Sequence, residues 1–228
     1  MRKLFKNLWN DFRFFYKYRI LHVYILILLF YWFLLSIFDG EMLIILKRVL
    51  LFSEPIVLGF FFMGGIYLIE KQEGIIEEML VTPRKIFHYF LAKHLAFLCV
   101  GIVLGTIISL IRTNEFSFGL LLTLFLSNVL FTSFGILVSL KAQNVNQYIL
   151  ISIGFSFLLM IPFGLMILLG NPFYLIYHPF GLIYLLAIHP FVIIPYAEGW
   201  LWLLLASQVV MMFLVIYRIF SRHVRFGR

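Results

Sequence analysis

Six long apolar runs alternate with short polar segments along the chain: Leu21–Phe38, Leu50–Ile69, Leu95–Ile111, Gly119–Leu140, Tyr148–Leu169 and Trp200–Tyr217. Each approaches the roughly 20 residues that carry a helix across a bilayer. A helix is the predicted form, because it satisfies its own backbone polar groups where no water can reach them. Only Glu54 interrupts the second run, and Pro162 predicts a bend in the fifth. Residues 1–19 follow a different pattern. Leu4, Phe5, Leu8, Trp9, Phe12 and Tyr16 recur at helical spacing, while Arg2, Lys3, Lys6, Asn10, Arg13 and Lys17 mostly point elsewhere. This predicts an amphipathic helix at the membrane surface, with aromatic rings in the headgroup zone and basic groups near lipid phosphates.

Residues 171–199 are apolar but carry Pro172, Pro179, Pro190 and Pro195. They fit either a seventh span or a re-entrant hairpin of two short helices. Charge favours the hairpin. With six spans and the N-terminus inside, every Lys and Arg except Lys47, Arg48 and Arg112 falls on the cytoplasmic side, among the 18 in the chain. A seventh span would move Arg218, Arg222, Arg225 and Arg228 outside. Irregular backbone at membrane depth needs protein or a wet cavity beside it, which places the hairpin against the bundle near an exit.

Composition agrees with this pattern. Of the 228 residues, 64% are hydrophobic and 12% charged, with mean hydropathy +1.06. A soluble domain carries about 25% charged residues. The net charge of +8 sits in short segments beside the apolar runs, a topology signal and not a nucleic-acid surface. Cys99 lies alone within an apolar run, which excludes an internal disulfide framework and a cysteine-rich metal site. The N-terminal segment lacks the small-residue cleavage site of a signal peptide.

The chain carries neither a phosphate-binding G-x-x-x-x-G-K-[ST] nor an H-E-x-x-H, and its six histidines are scattered, with no metal-ligand spacing. Most are expected at interfaces or in loops. Glu77 and Glu78 resemble the glutamate pair of CAAX-type intramembrane proteases, but Thr82 stands where that pattern needs Arg. No catalytic residue and no metal ligand is therefore assigned.

The informative segment is 70–94. Glu70, Glu73 and Glu77 recur at spacings of three and four, with Glu78 beside them. Ile75, Ile76, Met79 and Leu80 gather on another side, around Gly74. Pro83 pushes Thr82 out of the helical region and ends the element. A short acidic amphipathic helix is predicted between the second and third spans. It is either a solvated loop helix or a docking element for a cytosolic partner.

This segment resembles the loop of type-2 ABC exporter permeases, whose pattern is close to E-[KR]-x-x-G-[TI]-[LI]-E-x-L-L-[VL]-[TS]-P, then a basic residue and a Lys before the third span. Here the matching residues are Glu70-Lys71, Gly74-Ile75-Ile76-Glu77, Met79-Leu80-Val81-Thr82-Pro83, Arg84-Lys85 and Lys93, with Met79 a conservative departure. The likeness spans the whole chain in architecture but only this loop in motif. Within the family the chain looks most like the small fluoroquinolone-export permeases, and the haem-exporter permease of cytochrome c maturation is the nearest alternative. The resemblance implies an all-α, polytopic permease domain over 1–228 in the cell membrane, with cytoplasmic termini. It implies pairing with a second permease copy, identical or not, and with cytosolic ABC ATPases that grip the docking helix. ATP and Mg would be bound on those partners and none by this chain. The implied cargo is a hydrophobic or amphipathic, drug-like molecule moved outward. A channel or scaffold subunit with a non-ATPase partner is the competing class.

Other positions carry weaker signals. Gly101, Gly105 and Ser109 repeat every four residues, which lets helices approach closely. Asn128, Thr132 and Gly135 share a helix face, either for packing or for substrate contact. Glu54, an acid within a span, lies about 9 Å beyond Arg48 on a helix, hence near the outer interface. It is either a partner of Arg48 or a cavity residue that attracts a cationic substrate.

Overall fold

The computed structural model describes residues 2–81, 86–112, 116–169, 178–188 and 198–226, and every regular element among them is helical. Helix α1 (Arg2–Lys17) is separated from α2 (Ile20–Ile37) by Arg19 in the left-handed region, at φ 57°. Helix α3 (Gly40–Pro55) runs through a π-helical segment, Ile56–Phe62, into α4 (Met63–Gln72). The short α5 (Ile75–Val81) follows, then α6 (Ile86–Leu110), α7 (Phe118–Ser139) and α8 (Val145–Leu169). Helices α9 (Pro179–Ile188) and α10 (Glu198–Phe226) complete the bundle.

Five helices among the described residues are long and apolar enough to cross a membrane: Ile20–Ile37, Gly40–Gln72, Ile86–Leu110, Phe118–Ser139 and Gly199–Arg225. The remaining expected span falls on α8, 25 residues long, with a described apolar stretch at Val145–Leu158. The protein is thus multi-pass. Its outer surface supports this: α2 exposes Leu26, Leu29, Phe30, Trp32 and Phe33, and α10 exposes Leu203, Val210, Met211 and Leu214. Water would not tolerate so continuous an apolar belt; lipid does.

Helix α7 is the centre of the packing. It lies against α6, α10, α4 and the π segment. Glycines set these approaches. A Cβ at Gly135 would meet the carbonyl oxygens of Phe60 and Gly59 at 2.7 and 2.8 Å, and one at Gly59 would meet the backbone of Thr132 at 2.9 Å. A Cβ at Gly101 would overlap the Asn128 amide, and one at Gly105 would overlap the side chain of Leu124. The π segment follows Pro55, which has no N–H to continue the α pattern. The Phe60 carbonyl accepts a hydrogen bond from the Tyr148 hydroxyl of α8.

The second span differs from the sequence expectation. It was expected to begin at Leu50, with Lys47 and Arg48 in an outside turn. Instead the helix is unbroken over Gly40–Gln72, 33 residues. Lys47 is fully buried and donates to the Ser109 carbonyl at 3.1 Å. The long alkyl stem of a lysine allows this, because it packs as hydrocarbon while the amine reaches a polar atom. Of the hairpin expected over 171–199, only 178–188 and 198–199 lie within the described residues. Helix α9 buries Phe180, Leu182, Ile183, Leu185 and Leu186 against α10, α7 and α3.

Candidate functional site

The segment between the second and third spans is where sequence and structure meet most closely. The spanning helix ends at Gln72, and Glu73 and Gly74 form a turn. The Glu73 N–H donates to Ile69 O at 2.9 Å and the Gly74 N–H to Lys71 O at 3.1 Å. Gly74 adopts φ 75°, which costs an L-residue with a Cβ roughly 1–2 kcal/mol. The chain then restarts as α5, whose first bond runs from the Glu78 N–H to Gly74 O at 2.9 Å. Ile76 turns inward and is buried, and α5 touches α4 and α10. Glu73, Glu77 and Glu78 are exposed. The backbones of Met79 and Leu80 belong to α5; Thr82, Pro83, Arg84 and Lys85 lie outside the described residues.

Two expectations are corrected here. The acidic stretch is not one helix from Glu70 onward, because the Gly74 turn divides it. Glu70 therefore belongs to the spanning helix and faces inward, 3% exposed, away from the acidic surface of Glu73 and Glu77.

What Glu70 meets explains its burial. Lys93 of α6 is fully buried and its amine pairs with Glu70 Oε1. The same amine pairs with Asp11 of α1 at 2.5 Å. The Tyr89 hydroxyl donates to the other Glu70 oxygen at 2.5 Å. The amine also lies 5.5 Å from the centre of the Phe14 ring and 5.4 Å from that of Tyr89. One ammonium thus serves two carboxylates and ties together α1, the stem of the turn and α6. Burial pushes the Asp11 carboxyl above its ordinary value of 3.8; Lys93 opposes that rise and Glu70 adds to it. An outer pair, Lys17 with Glu73 at 3.3 Å, joins α1 to the turn itself.

Aromatic packing extends this root to α10. Phe15 meets Phe97 edge-on at 5.2 Å, and Tyr89 stacks on Phe220 at 5.9 Å. Phe220 also meets Tyr67 of α4 at 5.8 Å. A displacement of the turn is therefore resisted by α1, α6 and α10 together, since packed interiors transmit strain.

His94, expected at an interface or in a loop, is instead buried one residue beyond Lys93. Its Nδ1 lies 2.8 Å from Phe90 O and its Nε2 2.9 Å from the Ser133 hydroxyl, so it joins α6 to α7. It also borders an apolar cavity of about 270 Å³ between α6, α7 and α10, lined otherwise by residues such as Leu91, Leu98, Phe125, Val129 and Phe213.

Glu54, Asn128 and Thr132 lie far from the turn. Glu54 is sixteen residues from Glu70, about 24 Å along the helix. It sits near the helix midpoint and is 2% exposed, not at the outer interface where the sequence placed it. Ser109 closes the small-residue row of α6, where its carbonyl receives Lys47 and its hydroxyl donates to Thr106 O at 2.7 Å. Among the described residues no group of three or more His, Cys, Asp or Glu is placed to hold a metal ion.

Sequence reasoning missed Asp11, whose role depends on a contact with no local signature. Lys93 was visible only as the last element of the loop pattern. A family model described as ABC-2 type transporter matches residues 1–178, which include the Gly74 turn and the Asp11, Glu70 and Lys93 cluster behind it. No curated protein matches this chain.

Proposed function

Because the chain belongs to the ABC-2 type transporter family, we propose that it is the membrane permease of an exporter driven by a separate ATPase, and that the Gly74 turn is where that ATPase docks. The observation that carries this reading is the two-sided construction of the turn. Glu73, Glu77 and Glu78 face outward while Ile76 and Glu70 anchor it inward. An acidic, exposed surface joined by buried ion pairs to three helices suits a lever. Force applied to α5 would pass through Glu70 and Lys93 into α6 and α1.

In this reading the membrane contains six spans, with α8 as the fifth and α10 as the sixth. Helix α1 lies along the cytoplasmic face, and both termini are cytoplasmic, consistent with the distribution of Lys and Arg. Helix α9 belongs to an outer re-entrant element between the fifth and sixth spans. The apolar exposed faces of α2 and α8 leave room for a second permease copy as well as for lipid. The cargo is hydrophobic or amphipathic and drug-like, in keeping with the aliphatic and aromatic lining of the cavity between α6, α7 and α10. ATP and Mg are held by the partner, since the sequence contains no phosphate-binding loop.

The test is co-purification with an ABC ATPase from the same cells. Gly74→Pro with Glu77→Lys is expected to abolish the complex and ATP-dependent efflux while leaving membrane insertion intact. Proline cannot adopt the positive φ of Gly74. Intact ATPase binding and transport in that variant would refute docking at this turn.

A further inference from the structure

The cavity between α6, α7 and α10 is a groove with a buried floor and an open side. Leu98 of α6, Leu126 of α7 and Val209 of α10 form the floor. On the rim Phe125 is 42% exposed, Val210 57% and Leu214 51%, so that side opens to the lipid around the bundle. His94 is the polar lining residue, and Phe90 O and the Ser133 hydroxyl already engage its two ring nitrogens. A guest therefore meets hydrocarbon and aromatic faces, with no polar partner to spare. The groove follows α6 over residues 91–98, about 10 Å along the axis. Its volume of about 270 Å³ falls below the roughly 300–1,000 Å³ of drug-sized pockets, which suits one slender chain better than a bulky molecule.

The groove lies at the Gly74 end of the bundle, since His94 follows Lys93 of the ion-pair cluster. Phe87 of α6 meets Tyr217 of α10 edge-on at 5.4 Å and bridges the two helices there. Helix α10 presents two rows at a spacing of four. Val209, Phe213 and Tyr217 form the inner row, buried or half-buried. Val210, Leu214 and Arg218 form the exposed row, and Arg222 extends it by one turn. A chain lying on Val210 and Leu214 thus meets a guanidinium about 6 Å farther along the axis. The acidic α5 also touches α10, but among the described residues neither Arg218 nor Arg222 forms an ion pair with an acid. A hydrocarbon slot ending at such a cation is complementary to an apolar tail joined to an anionic head. In the topology proposed above this end faces the cytoplasmic leaflet, where anionic phospholipids give the surface its negative potential.

We propose that the groove holds one anionic phospholipid, with an acyl chain along α6 and α10 and its phosphate against Arg218. The guanidinium fork suits phosphate oxygens, and the chain fills a gap that protein leaves open. The lipid is part of the bundle wall, and any cargo using this groove has to displace it. The proposal rests on the transport reading only for the choice of leaflet.

Native mass spectrometry of the full chain tests it, after release from nanodiscs of equal palmitoyl-oleoyl phosphatidylglycerol and phosphatidylcholine. Wild type is expected to retain one phosphatidylglycerol per chain, about fivefold more often than phosphatidylcholine. Arg218→Gln should lose this preference. Arg225→Gln removes the same charge about 10 Å farther along the helix and should keep it. Val210→Trp fills the open side and should lose both lipids, and Leu214→Trp repeats that arm at a second rim position. Leu203→Trp, exposed on α10 but outside the groove, should retain them. All five positions are exposed, so the variants are expected to fold. Equal retention of the two lipids by wild type, or equal loss of preference in Arg218→Gln and Arg225→Gln, would overturn the proposal. So would full retention in both Val210→Trp and Leu214→Trp, or a bound non-lipid mass that those two changes expel. Both nanodisc leaflets carry both lipids, so the outcome is independent of how the chain faces and of where an ATPase docks.

Discussion

Lys93 and Asp11 lie 82 residues apart in the chain and 2.5 Å apart in space. Their contact fastens the N-terminal helix to the third span at the level where the Gly74 turn leaves the bundle. The Lys93 amine holds Glu70 as well, so removing it strands two buried acids. Lys93→Met is expected to destabilise the protein by about 3–5 kcal/mol, the usual cost of leaving a buried charge unpaired. Thermal unfolding in detergent measures this. Asp11→Asn leaves the Lys93–Glu70 pair intact and is expected to cost markedly less.

The burial of Asp11 sets a pH dependence that its contact with Lys93 opposes. Because burial raises the Asp11 carboxyl above 3.8, the folded protein binds this proton more tightly than the unfolded chain. Its contribution to stability therefore falls as pH rises through the window above 3.8. Melting curves of wild type and Asp11→Asn should converge below that window and separate within it, with the wild type losing ground as pH rises. Parallel curves would mean that Asp11 does not titrate differently on folding.

Close glycine contacts make a graded prediction. Gly135→Ala pushes a methyl group against the backbone oxygens of Phe60 and Gly59, which cannot swing aside as a side chain would. A loss of about 1–3 kcal/mol is expected. Gly65→Ala and Gly154→Ala meet nothing within 4 Å and should be neutral or mildly stabilising. Equal effects at the three positions would contradict the packing of α7 on the π segment.

Surface charge offers the contrasting case. Arg112 pairs with Asp39, and its guanidinium donates to Phe38 O at 2.8 Å beyond the end of α2. The Asp39 side chain is 78% exposed, so water screens the pair. Asp39→Asn is expected to cost less than about 1 kcal/mol, and high salt should erase the difference.

Much of the architecture is legible in the sequence because hydropathy reports directly on the solvent around each helix. The expected first and fourth spans lie close to their helices, whereas the helix of the third span begins at Ile86 rather than Leu95 and that of the last runs on to Phe226 rather than ending at Tyr217. The errors share a cause. Lys47 and Arg48 suggested a turn, but a buried lysine that finds the Ser109 carbonyl leaves a helix unbroken. That displacement carried Glu54 from the interface to the helix midpoint. Glu70 was grouped with Glu73 and Glu77 by spacing alone, and the Gly74 turn separates them. The Lys93–Asp11 contact had no local trace at all, since it depends on how α1 lies against α6. The packing of the π segment on α7 likewise has no local trace, although Pro55 marks where that segment begins.

The most direct measurement is site-specific photocrosslinking in native membranes, with captured partners identified by mass spectrometry. A crosslinker replacing Glu77, on the exposed face of α5, is expected to capture the ATPase. One replacing exposed Phe116, at the far end of the third and fourth spans, is expected to capture none. No capture at Glu77, or capture only at Phe116, would contradict docking at the Gly74 turn.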